Sequence, residues 1–172
     1  MKANRALVLA GLAALAACAP KPAPKPVPAP APAPIVRPAP LPAPPPRDWR
    51  DAPASPGDWS WALAAGRSTA SFGLAGQPAQ FTLACDRAAG SVVLTRSGAP
   101  VSAPMAIYTT SASRSFAAVA VPGGTAASLP ARDPFLDAIA FSRGRFAVEL
   151  AGAAPLYLPS WPEVSRVIED CR

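Results

Sequence analysis

Between Ala19 and Pro46 the chain carries 14 prolines, most of them alternating with Ala, Lys or Val. Proline fixes φ near −65° and has no amide hydrogen to donate, so this stretch can form neither a helix nor a central strand. It is expected to run as a polyproline II rod at ~3.1 Å per residue, reaching roughly 85 Å when fully extended. Whatever folds around a hydrophobic core must therefore come from residues 47–172, a length suited to one domain. The ladder divides the chain into three parts: a leader at 1–17, a proline-rich linker at 18–46 and a globular domain at 47–172.

The ladder also explains the charge. The net +6 and pI near 9.9 suggest a basic protein. All ten acidic residues lie in the part from Arg47 onward, however, alongside only 11 of the 16 cations, and none of those 11 is lysine. The domain is near neutral and the basicity belongs to leader and linker, which argues against nucleic acid as a partner. The chain has no histidine and only three cysteines. That composition removes the Ser-His-Asp triad and any zinc site built from Cys and His, so neither a metal nor another cofactor is expected. A serine–lysine pair is excluded too, because the domain has no lysine.

Lys2 and Arg5 precede an uncharged apolar run, Ala6–Ala17, which reads as an export signal. Its 12 residues are too short to cross a hydrocarbon core of about 30 Å at about 1.5 Å per residue. The run ends in Leu15-Ala16-Ala17-Cys18, which resembles the bacterial lipobox. The resemblance implies a diacylglyceryl thioether on Cys18, cleavage before it and acylation of the new N-terminus. Ala19 in the second mature position is similar to outer-membrane sorting signals. The implied address is the periplasmic face of the outer membrane in a Gram-negative bacterium, with the inner membrane or secretion as alternatives. In that setting the linker reads as a spacer, and a ligand for a proline-binding groove is the other reading. Its composition is similar to that of TonB-type proteins, but no membrane span precedes it.

With Cys18 lipidated, Cys85 and Cys171 remain as an even pair in an oxidising compartment, where a disulfide is expected.

Beyond Arg47, short apolar runs are separated by Gly, Pro and Ser. Strands are predicted at Trp59–Ala65, Ser68–Leu74, Gln80–Cys85, Ser91–Arg96, Met105–Thr110, Ser115–Val121, Arg145–Leu150 and Leu156–Leu158. Phe81, Leu83 and Cys85 fall on one face, as do Phe146, Val148 and Leu150, the mark of antiparallel strands with one buried side. Two helices complete the pattern. Asp133 and Pro134 open one that ends before Gly144, and Ser160 with Glu163 offers a capping box for the second. In the second helix Val164, Val167, Ile168 and Cys171 share a face, which points Cys171 at the sheet. The fold class expected is mainly β with two short helices (α+β): a small antiparallel sandwich or barrel, its C-terminal helix tied on by the disulfide.

The candidate ligand surface comprises Trp59, Trp61, Arg143 and Arg145. Trp59 and Trp61 lie two apart on a strand, as stacking residues on glycan-binding sheets do, although core packing is the commoner fate of tryptophan. Arg143 and Arg145 flank Gly144 and could hold a small anion, or simply be exposed beside a capped turn. Trp49 and Trp161 are further aromatic material. Asp133 and Asp137 read as a cap and a first-turn acid before they read as a catalytic pair. Arg166 is placed to pair with Glu163, Glu169 and Asp170.

The segment from about 59 to 172 resembles uncharacterised alphaproteobacterial exported proteins ending in a block like "DPFLDAIAFSRGRF … LPSWPEVSRVIEDCR". That resemblance implies no known activity. A weaker similarity is to small periplasmic lysozyme-inhibitor lipoproteins, whose Ser-Gly-x-x-Tyr type of motif this chain lacks. The function expected is a non-enzymatic binding or structural module of the envelope, with peptidoglycan or an envelope protein as partner. The alternatives are an enzyme using carboxylates or serine, and a lysozyme or protease inhibitor.

Overall fold

The structure, a computed structural model, describes residues 48–172. The leader, Cys18 and the proline ladder lie outside the described residues.

The first four strands form an antiparallel meander: β1 (Asp58–Ala64), β2 (Arg67–Gly73), β3 (Phe81–Asp86) and β4 (Ser91–Ser97). The chain then builds β5 (Met105–Tyr108) and β6 (Ser113–Phe116) before returning to the first sheet as β7 (Val119–Val121) and β8 (Gly124–Pro130). Helix α1 (Pro134–Ala140), β9 (Arg145–Leu150), β10 (Leu156–Pro159) and helix α2 (Pro162–Asp170) follow. The strands form two open antiparallel sheets, ordered β1-β2-β3-β4-β8-β7 and β10-β9-β5-β6. Neither closes on itself, so of the two architectures expected, the barrel is the one not formed.

Alternation decides which side of each strand is buried. In β2, Ser68, Ala70 and Phe72 face inward; in β3, Phe81, Leu83 and Cys85 do so. Phe146, Val148 and Leu150 supply the facing side of the second sheet. This inner face of the large sheet is divided along its strands. Towards the Phe72–Phe81 end it meets the second sheet, where Phe81 and Phe146 pack edge to face at 6.4 Å and the Trp59 indole donates to the Pro159 carbonyl at 2.8 Å. Towards the Ser68–Cys85 end it meets α2, which buries Val164, Val167 and Ile168 there. Each such side chain contributes about 1.5–3 kcal/mol by leaving water.

The Cys85–Cys171 disulfide closes this end, with Cα atoms 5.3 Å apart and a sequence separation of 86. A loop of that size gives about 4–5 kcal/mol in the chain-entropy view of disulfide stabilisation. Helix α1 starts as expected: the Asp133 carboxylate accepts from the Phe135 amide at 2.9 Å and Pro134 occupies the first turn.

Three expectations are corrected. The capping box of α2 does not form; Trp161 occupies the N-cap with no side-chain bond. Ser160 instead donates to the Ile139 carbonyl at 3.0 Å, satisfying an acceptor in the last turn of α1 and tying the two helices together. The single strand expected at Ser115–Val121 is broken at Ala117–Ala118, where the chain passes from the second sheet to the first. Strand β8 was not expected at all. It runs Gly-Thr-Ala-Ala-Ser-Leu-Pro, and its first four residues are buried. Small side chains let it sit between β4 and β7, and Gly124 lies so close to Arg96 of β4 that an added Cβ would strike that carbonyl.

Candidate functional site

The residues singled out for a ligand surface are not gathered on one open face. Trp59 is buried, edge-on to Phe72 at 5.3 Å. Trp61 is half-buried: its indole donates to Ser68 Oγ at 2.8 Å, and Ser68 in turn donates to Asp170 Oδ2 at 2.6 Å. The Arg166 guanidinium lies 3.5 Å from the centre of the Trp61 ring. Arg166 thus makes a cation–π contact rather than the helical ion pairs expected of it; none of the three ion pairs among the described residues includes it. Arg145 turns back to donate to the Ala52 carbonyl, fixing the segment that enters the domain. Of the four residues, only Arg143 is exposed.

Arg143 belongs to a different constellation, built by two loops that brace each other. The β5–β6 turn is held by Thr109, whose hydroxyl donates to the Ala112 carbonyl at 2.8 Å and accepts from the Ala112 amide at 3.0 Å. The loop between α1 and β9 inserts Ser142 beneath that turn. Ser142 Oγ accepts from the Thr110 amide at 3.0 Å and donates to the Arg145 carbonyl at 2.5 Å. The Arg143 amide donates to Thr110 Oγ1 at 3.0 Å. Ser142 is buried, while its neighbours Phe141 and Arg143 are both exposed. Phe141 is 72% exposed, the most exposed large apolar side chain among the described residues. Gly144, at φ 78°, turns the chain into β9.

Arg50, Thr110, Ser111, Phe141 and Arg143 line a cleft of about 660 Å³. A neighbouring hollow of about 370 Å³ shares Arg50, Thr110 and Ser111 and adds Trp49 and Tyr108. Arg50 stacks on Trp49 at 4.9 Å and pairs with Asp48 at 3.1 Å. Among the described residues the Arg143 guanidinium pairs with no carboxylate, and neither hollow is lined by an acid. The surface is aromatic, hydroxylated and cationic.

The carboxylates are engaged elsewhere. Asp133 is partly buried, which raises its pKa, but the hydrogen bonds from Arg114 and the Phe135 amide, with the Arg114 charge, outweigh this and hold it below the usual range. Arg114 itself lies over the edge-to-face pair of Phe116 and Phe135, 4.7 Å from each ring, and 2.6 Å from Asp133. Asp137 pairs with Arg172 at 2.7 Å, so the two aspartates of α1 serve separate partners. On the outer face of the second sheet, the Glu149 charge, together with burial, raises the Tyr108 phenol. No group of three or more metal-ligating side chains occurs among the described residues, and no helix there is long and apolar enough to cross a membrane.

Sequence reasoning found Arg143 through the Arg-Gly-Arg spacing but missed Phe141, Arg50, Thr110 and Ser111. Phe141 did leave a signal. At 100° per residue it projects opposite the stripe formed by Phe135, Leu136, Ile139 and Ala140, so it has no place in the core. No family model, no curated protein and no solved structure matches this chain.

Proposed function

We propose that this protein is a lipid-anchored envelope lipoprotein whose domain is a non-enzymatic binding module, presented on a proline-rich spacer. Cys18 is the attachment point for the lipid, and the periplasmic face of the outer membrane is the compartment. The observation that carries the binding role is the braced pair of loops that holds Phe141 and Arg143 outward over the cleft. Exposing a large apolar side chain costs solvation energy, and here hydrogen bonds between the two loops hold the segment that carries it. An enzyme that works through paired carboxylates needs two of them converging on one cleft. Asp133 and Asp137 are instead each held by a separate arginine.

Site-specific photo-crosslinking in intact cells tests this reading. A crosslinker at position 141 of the full-length chain should capture a defined envelope component. One at Leu63, also exposed but on β1, should not. Equal, unspecific labelling from both positions would count against a dedicated binding site.

A further inference from the structure

We infer that the cleft between the β5–β6 turn and the α1–β9 loop binds a carboxylate-bearing glycan, and that its source is peptidoglycan. The inference rests on the envelope-binding reading above. It starts from the chemistry of the six side chains at the cleft: Trp49, Arg50, Thr110, Ser111, Phe141 and Arg143.

The two cations are both arginines, whose planar forks match a carboxylate through paired N–H donors. No acid lines the cleft to compete with a bound anion. Asp48 does hold Arg50, at 3.1 Å, but both side chains are about half exposed. An exposed pair of this kind is weak enough to admit a second carboxylate. Arg143 has no such partner among the described residues.

Charge alone would suit a phosphate or an acidic peptide equally well. The aromatic residues narrow the choice. Phe141 offers an open ring face on a rigid loop, and Trp49 lies in the adjoining hollow. The apolar C–H face of a pyranose lies flat on such rings, while its hydroxyls meet groups like Thr110 and Ser111. An acidic glycan joins a carboxylate to a flat C–H face within one sugar or its substituent. A peptide strand would need free backbone groups at the cleft, and there the Thr110 and Ala112 amides and the Ala112 carbonyl are already used internally. The linker, reaching roughly 85 Å when extended, is long enough to bring the domain from an outer-membrane anchor to the wall, which selects peptidoglycan as the source.

Co-sedimentation of the purified full-length chain, in detergent, with isolated peptidoglycan sacculi tests the inference. Retention should fall about tenfold for Arg143→Gln and for Phe141→Ala, as expected for losing one charged hydrogen-bonding group or one stacking face. The same loss should follow when the sacculus carboxylates are converted to amides. Arg132→Gln, an exposed charge outside the cleft, should leave binding unchanged. Both cleft side chains are exposed, so matching thermal unfolding of the variants will show that the fold is intact.

Undiminished binding by either cleft variant, or to amidated sacculi, would overturn the inference. So would variant-sensitive binding to polyglutamate or phosphatidylglycerol vesicles in place of sacculi, which would make the ligand an acidic peptide or a lipid headgroup. Retention on alginate but not on sacculi would overturn the choice of source. A crosslink from position 141 to an envelope protein, with no retention on sacculi, defeats the glycan assignment and leaves the binding-module reading standing. A chain that neither crosslinks nor sediments defeats both.

Discussion

Single residues set the local geometry here, and three carry consequences that can be measured. Ala65 is the only non-glycine residue with positive φ among the described residues, at 49°, followed by Gly66 at 75°. Together they form the two-residue turn between β1 and β2, where Ala64 pairs with Arg67. Such turns favour Asn-Gly because the left-handed region is costly for alanine. Ala65→Asn should therefore stabilise the domain by about 0.5–1 kcal/mol, seen as a rise of a few degrees in Tm. Asp133 gives a pH test. Its pKa is lowered in the folded state, so its contribution is complete above the unfolded value near 3.9 and is lost as pH falls through the folded value. Asp133→Asn keeps a competent helix cap but loses the charge facing Arg114. The variant should be less stable by about 0.5–1 kcal/mol at neutral pH, and the gap should shrink as the pH is lowered to about 2.5. Urea titrations of both chains at the two pH values would show it; a gap independent of pH would mean the ion pair contributes nothing. The third residue is Phe141: with its ring exposed, Phe141→Ala should leave Tm nearly unchanged while weakening retention on sacculi.

At the level of elements, the large sheet depends on a strand that its composition conceals. β8 lies between β4 and β7, and Gly124 permits the approach to Arg96. Gly124→Ala should cost about 1–3 kcal/mol through overpacking against that carbonyl, read from the shift in denaturation midpoint. The disulfide should matter more. Cys85→Ala with Cys171→Ala should lower stability by about 4 kcal/mol and loosen α2 first, which hydrogen exchange along Pro162–Asp170 would detect. What could be read from sequence follows the same logic. Strands with large alternating side chains, such as Phe81-Thr-Leu-Ala-Cys85, announce themselves because large apolar residues have only one place to go. The half-cystines were legible because each fell on the inward face of its own element. β8 was not, since its buried Gly124, Thr125, Ala126 and Ala127 are small and carry little hydrophobic signal. The break at Ala117–Ala118 was hidden for a related reason: no glycine or proline marks the point where the chain changes sheets. Ser160 misled because a nearby carbonyl of α1, a tertiary neighbour, outcompeted its own helix for the hydroxyl. The candidate cleft was legible only in its Arg143 half, since the turn bracing it lies about 30 residues away in sequence.

The whole molecule, as proposed, is a tether with a reader at its end. On this proposal Cys18 anchors the chain to the membrane and the proline ladder spaces the domain from it, while the two sheets, with α2 tied on by the disulfide, carry the cleft. Arg145 contributes at this scale by fixing Ala52, so that the chain enters the domain at a set point beside the Phe141 loop. The proposed location of the domain rests on the chemistry of one cysteine. Several acyl chains, each gaining about 0.8 kcal/mol per buried CH₂, make a lasting anchor where one would be marginal. The most direct measurement is the mass of the N-terminal peptide from the membrane-extracted protein. A peptide beginning at Cys18 and carrying diacylglyceryl and acyl groups is the predicted result. An unmodified peptide, or one beginning elsewhere, would contradict the anchored, spacer-mounted arrangement.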